Sequence, residues 1–303
     1  MQLSLPLWRP SRAAPLPPRR ALDRPPAAGR WRIREELLMG SVVRVELWAE
    51  LPRDGEAALE AALAEMRRID RRCSARHLDS ELSRVNRHAA AAPVAVSAEL
   101  FALLTQAQAF SARSDGAFDI TCPGPAGAQH RRAARPDAAV GWRRLMLDAA
   151  TRSVRLAHPG VRIDLGSFAQ GHAVDRGTAE LRRHGIAHAS VSAGNSRRLL
   201  GDRHGQPWTM AMRQPLQADD PIAALPLRDT AVSTASAEPR GAGAVRSVTV
   251  LAPDGATSAA LSRSVFVLGI ACALALVEAV PGADAVLVDA AGAPHASPGL
   301  QRR

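Results

Sequence analysis

From Trp31 onward, apolar and polar positions recur with the periods of regular structure. Val43, Val45 and Leu47 alternate with Arg44 and Glu46, the two-residue period of a strand with one buried face, and Met39-Gly40-Ser41 just before them reads as a turn. Leu59, Leu63, Met66 and Asp70 share one helical face, with Ile69 beside it and alanine-rich sequence between, which predicts a helix. A second helix is predicted after Ser97, a good N-cap, through Leu100, Leu103, Leu104, Ala107 and Phe110. Three short runs, Leu145-Met146-Leu147, Val154-Arg155-Leu156 and Val161-Arg162-Ile163, are separated by turns at Asp148–Arg152 and Pro159-Gly160 and predict an antiparallel meander. A helix over Gln170–His184, ended by Gly185, leads to a strand at Ile186–Val191. A strand at Val248–Leu251, an apolar helix at Ser264–Val280 and a strand at Ala285–Asp289 complete the pattern. Hairpins interspersed with helices predict an α+β fold, mixed or antiparallel sheets with packed helices, in place of a doubly wound parallel sheet.

At 303 residues and 47% hydrophobic content, the chain is long and apolar enough to bury a sizeable core. Residues 1–30, rich in proline and arginine, read as a disordered tail, residues 31–295 as one domain, and residues 296–303 as a flexible C-terminal tail. The beginning of the chain has no continuous apolar stretch of the secretory kind and no cysteine placed to carry a lipid, so localisation is left open, with the cytoplasm as the default expectation and a place outside the cytoplasmic membrane as the alternative. The run Ser264–Val280 is interrupted by Glu278 and falls short of the ~20 residues that span a bilayer, and it reads as a core helix.

Charge changes this picture less than its size implies. The formal net charge is +10 and all 39 basic residues are arginine, with no tyrosine in the chain. Without lysine there is no phosphate-loop lysine, Schiff base or lysine general base. Residues 1–34 carry eight arginines and a single acid, Asp23, a net +7 that leaves +1 for residues 35–301 once Arg302-Arg303 is also set aside. Aromatic residues, at 3%, are too few to interleave with the arginines as base-stacking platforms, so no nucleic-acid partner is expected. Cys73, Cys122 and Cys272 are far apart and odd in number, which predicts buried thiols and neither a disulfide framework nor a zinc knuckle.

No generic catalytic template is present. His184 and His188 stand four apart, as two ligands on a helix would, but Gly185 between them ends that helix and leaves two ordinary histidines. Four stretches carry residues that pure structure does not call for. They are Ser80-Glu81-Leu82-Ser83-Arg84-Val85-Asn86, Gly116-Ala117-Phe118-Asp119-Ile120-Thr121, the run from Ile163 to Asp175, and Val191-Ser192-Ala193-Gly194-Asn195. The third passes from a strand end through small residues into a helix, where backbone N–H groups can hold a phosphate and a strand-end carboxylate can hold a polar ligand edge. Singly, each has a structural reading: Asn86 as a brace, Asp164 as a turn cap, Asp175 as a solvated helix residue, Phe118 as core.

In this order, the stretches resemble the ApbE family of flavin transferases, the FAD:protein FMN transferases. The run Asp164 to Asp175, Asp-Leu-Gly-x-x-Ala-x-Gly-x-Ala-Val-Asp, is its most specific part. Met39-Gly40-Ser41, Pro207-Trp208, Gln214-Pro215, Ser247-Val248-Thr249-Val250 and Phe266-Val267-Leu268-Gly269 extend it along the chain. The resemblance implies a reaction in which the FAD diphosphate is split, AMP leaves, and FMN is joined through its phosphate to a threonine or serine of an acceptor flavoprotein. It implies FAD contacts from Met39, Ala117, Phe118, Asp119, Asp164 and Gln170, a metal ligand from Ser167, and Mg²⁺ on the diphosphate. The catalytic residue is left unassigned. Two departures stand out: Ala259 and Arg263 occupy the places of the family's Asp-x-x-x-Thr metal pair, and its His-x-x-Asp-Pro-x-Thr-Gly motif has no counterpart after Thr230–Arg240. The alternative is therefore a relative that binds flavin or a partner without transfer.

Overall fold

The computed structural model of the chain describes residues 29–123, 141–214, 217–236 and 245–301. Residues 1–28 of the expected tail, Pro215 and the end of the Thr230–Arg240 segment lie outside them. The expected single domain separates into two compact units: residues up to Met66 with Gln170 onward, and Arg67–Ala169.

The first unit is built on a wholly antiparallel eight-stranded sheet. Its strands in chain order are β1 (Arg30–Leu38), β2 (Ser41–Ala49), β8 (Ala189–Ala193), β9 (Ser196–Leu200), β12 (Ala231–Ser236), β13 (Val245–Ala252), β14 (Asp284–Asp289) and β15 (Pro294–Ala296), which lie side by side in that order. Alternation along the strands divides the core between two faces. Val248, Val250, Ala285 and Leu287 meet α5 (Gly255–Glu278) through Leu261, Val265, Ala273 and Val277. Leu251, Val232, Val286 and Leu199 pack instead with Trp208 and Leu227 of the hairpin β10 (Trp208–Gln214) and β11 (Gln217–Leu227). α5 is long and apolar enough to cross a membrane, yet it covers this sheet face, and Gly269 (φ 71°, ψ 172°) breaks it in the middle. That backbone region is almost confined to glycine.

The second unit holds α2 (Glu81–His88), α3 (Ala98–Arg113) and two small sheets. One is β3 (Val94–Ala95), β6 (Ser153–Leu156) and β5 (Leu145–Asp148); the other is β4 (Thr121–Pro123) with β7 (Val161–Ile163). The α+β fold and most of the predicted elements are observed, including α1 (Pro52–Cys73) and α4 (Ser167–Arg183), within which the division between the units falls. Ser97 caps α3 by accepting from the Leu100 N–H, and Gly185 closes α4 with φ 75°.

Several expectations are corrected. The third run of the meander, β7, pairs with β4 and leaves β5–β6 as a hairpin. The segment from Ser80 is a helix, α2, capped by the Ser80 hydroxyl on the Ser83 N–H. Residues 296–301 are not a free tail: Ala296 ends β15, the Ser297 hydroxyl donates to Asp284, and Leu300 of α6 (Pro298–Gln301) is buried in the core. Cys73 is buried, with its thiol pushed up to about 12 by that burial, but Cys122 is half-buried and Cys272 exposed.

Candidate functional site

In the second unit, the short β4–β7 ladder joins two of the stretches that the sequence singles out. Thr121 pairs with Ile163, and the Asp164 N–H donates to the Ile120 carbonyl at 2.8 Å. Asn86 braces the ladder from α2: its amide donates to the Ile163 carbonyl at 2.9 Å and accepts from the Ile163 N–H at 2.7 Å. The Asp119 carboxylate binds its own surroundings, accepting from the Thr121 N–H (2.7 Å) and hydroxyl (2.8 Å) and from the Trp142 N–H (2.9 Å). It therefore shapes the loop that presents Ala117 and Phe118. The Phe118 ring is 1% exposed, with Phe110 and Phe168 centroids 6.2 and 5.3 Å away, so only its backbone is offered to a ligand. Asp164, exposed, accepts from the Gly166 N–H at 3.0 Å and otherwise faces solvent. Three residues on, α4 begins at Ser167, whose buried hydroxyl has no hydrogen-bond partner.

In the first unit, the β1–β2 and β8–β9 turns meet at Gln170 of α4. Met39 (φ 54°) and Gly40 (φ 69°) make the two-residue turn between β1 and β2, the left-handed pair that suits the twist of a hairpin. The Gln170 amide donates to the Met39 carbonyl and the Ser41 hydroxyl, both at 3.3 Å. Gly194, at φ 55° in the β8–β9 turn, lies so near that a Cβ there would stand 2.6 Å from the Gln170 Oε1. The adjoining Asn195 carbonyl accepts from the Thr234 N–H at 3.1 Å. Behind it, hydroxyls link the strands to α5: Ser196 to Ser233 at 3.2 Å and Ser233 to Ser258 at 2.8 Å. Beside the turn opens a cavity of about 410 Å³ lined by Ser192, Asn195, Arg197, Thr209 and Thr234, with Val232 and Met210 on its apolar side.

Asp175 has a different task from a solvated helix residue. Both its carboxylate oxygens accept from the Gly255 N–H at 2.8 Å, and one also takes the Ala256 N–H at 3.3 Å, so it caps the N-terminus of α5. Burial nevertheless pushes it up to about 6, against the opposing effect of those N–H groups. One turn earlier, Gly171 lies against Gly255, whose carbonyl oxygen would be 2.2 Å from a Cβ at 171. The Gly-x-Ala-Val-Asp half of the motif thus seats one helix on another. Its distant partner, Gly255, leaves no local mark in the sequence. His184 is exposed beyond α4, whereas His188 bonds Asp202 at 2.9 Å, so the two histidines share no site.

A sequence profile described as the ApbE family matches residues 39–243. The chain belongs to the ApbE family. The FAD:protein FMN transferase of Treponema pallidum is 30% identical over 86% of this chain and 86% of its own. That of Klebsiella pneumoniae is 29% identical over 59% of this chain and 57% of its own. Among solved structures, the ApbE protein of Thermotoga maritima superposes with a TM-score of 0.76 at 25% identity, covering 90% of this chain and 99% of that one. The flavin transferase ApbE of Vibrio cholerae gives 0.75 at 21% identity, with the same coverage.

Among the described residues, positions 259 and 263 do not offer magnesium the oxygen donors it needs. A hard cation needs several oxygen donors. Ala259 is fully buried and offers a methyl group, while Arg263 offers a positive charge. Ser167, in the second unit, has by itself one neutral hydroxyl to offer, and among the described residues no three His, Cys, Asp or Glu side chains are grouped for a metal. Residues 237–244, where the family's histidine motif would be sought, lie outside the described residues.

Proposed function

We propose that this chain takes FAD as substrate and transfers FMN to a threonine or serine hydroxyl of an acceptor flavoprotein, releasing AMP. The hydroxyl oxygen bonds to the phosphorus of the FMN half, the bond from that phosphorus to the AMP oxygen breaks, and the hydroxyl proton is lost to solvent. Support comes chiefly from Gln170, held on the Met39 carbonyl and the Ser41 hydroxyl beside Gly194, in a chain matched to the family across all of these positions. Within the first unit, Gln170 and Met39 are the proposed flavin contacts. Taken by itself, the second unit offers the exposed Asp164 carboxylate and the Ala117 and Phe118 backbone shaped by Asp119. The Ser167 hydroxyl and the N–H groups that open α4 are a further place for a phosphate oxygen.

Incubation with FAD and an acceptor domain bearing a threonine tests this reading. Covalent fluorescent flavin on the acceptor and an equal amount of AMP are expected. Bound FAD with neither product would leave the non-transferring alternative, and absence of FAD binding would overturn both.

A further inference from the structure

We infer that this chain holds the FAD diphosphate with the guanidinium of Arg263 and without a divalent cation, an inference that rests on the flavin-transferase reading above. Positions 259 and 263 lie one turn apart on α5, within about 6 Å of each other. The described hydroxyl groups next to them already donate within the helix. The Ser258, Ser262 and Ser264 hydroxyls each donate at 3.0 Å to carbonyls of their own helix, those of Gly255, Ala259 and Ala260. Asp254 accepts from the Thr257 N–H and hydroxyl, and Asp175 is spent on the helix N-terminus. Neither of these two carboxylates at the start of α5 is left to attract a cation, and Arg263 repels one.

Arg263 itself is exposed and makes no hydrogen bond or ion pair with any described residue. Elsewhere the arginines of this chain are commonly engaged: Arg32 on Glu56, Arg44 on Glu35, Arg68 on Glu99 and Arg176 on Glu65. The free fork is placed on the helix whose first turns reach, through Ser258 and Ser233, the strand hydrogen-bonded to the Gly194–Asn195 turn that Gln170 touches. A planar guanidinium presents paired N–H donors that match two phosphate oxygens and brings one positive charge without a metal.

Flavin fluorescence titrations of the full chain test this, with FAD and riboflavin, in EDTA and in excess MgCl₂. FAD affinity is expected to be the same in both media. Arg263→Gln, at an exposed position, is expected to weaken FAD by about tenfold to a hundredfold and to leave riboflavin, which has no diphosphate, unchanged. Tighter FAD binding in magnesium, or a Mn²⁺ paramagnetic resonance signal altered by the protein, would overturn the inference, as would unchanged FAD affinity in the variant. Failure of the unaltered protein to bind either flavin in either medium would overturn the transferase reading itself, and the inference with it.

Discussion

Asp119 and Asp164 flank the same β4–β7 ladder, yet their surroundings set them to different work. Asp119 accepts three hydrogen bonds from the backbone and hydroxyl groups of its loop, so Asp119→Ala is expected to destabilise the protein by about 1.5–3 kcal/mol, measured by urea unfolding. Asp164 is exposed and, among the described residues, its carboxylate accepts from the Gly166 N–H alone, so Asp164→Ala should change stability by no more than about 0.5 kcal/mol. In that variant FAD binding should be lost, by fluorescence titration; unchanged affinity would remove Asp164 from the flavin site. The position of Asp164 was legible in the sequence, because a strand end running into a small-residue turn is a local pattern, and Asp119 stood out beside an aromatic residue. Their division of labour was not, since it depends on Trp142 and Thr121 folding over one of them. Phe118 was readable as core from the sequence, and the packing of Phe110 and Phe168 around its ring shows that place; the ligand contact was implied only by the family resemblance.

Elements were legible where their signals are local and illegible where partners are distant. The caps at Ser97 and Gly185 and the alternation in β2 stand in the sequence, but β7 looks like a meander strand until β4 claims it. The β10–β11 hairpin, with Pro221 and two adjacent acids inside β11, carries little alternation to read. α5 extends the expected helix backward from Ser264 to Gly255, because Asp254 and Asp175 supply its start. That seat makes stability depend on pH. Asp175 is raised from 3.8 to about 6 by burial, so the folded state holds its proton more tightly than the unfolded chain. Its contribution to stability is fully present below pH 3.8 and is lost as pH rises through about 6. The urea midpoint is expected to fall across that window and Asp175→Asn to flatten the fall; an equally steep profile in the variant would assign the titration elsewhere. Farther along the same helix, Gly269→Ala forces a Cβ into a backbone region that tolerates none. It should cost about 1–3 kcal/mol, read as a lower thermal midpoint.

At the scale of the whole molecule, the +10 charge is distributed differently from what the composition implies. Of the eight arginines in residues 1–34, Arg30, Arg32 and Arg34 belong to β1, where Arg32 and Arg34 meet Glu56, and Arg34 also meets Glu60, on α1. Arg32 and Arg34 thus belong to the folded unit, with their charge offset locally. Residues 1–28 hold five arginines and Asp23, a net +4. The register of β1 on β2 begins at Arg30 opposite Ala49, so every pairing of this edge of the sheet lies beyond that segment. A chain lacking residues 1–28 is therefore expected to keep its thermal midpoint and its FAD affinity while eluting from a cation exchanger at lower salt, because a formal charge of +4 has been removed. A drop in the midpoint would instead mean that the segment covers part of the folded units. Unchanged elution would mean that the Arg44, Arg197 and Arg203 surface around β2 and β9 sets the protein's attraction to anions.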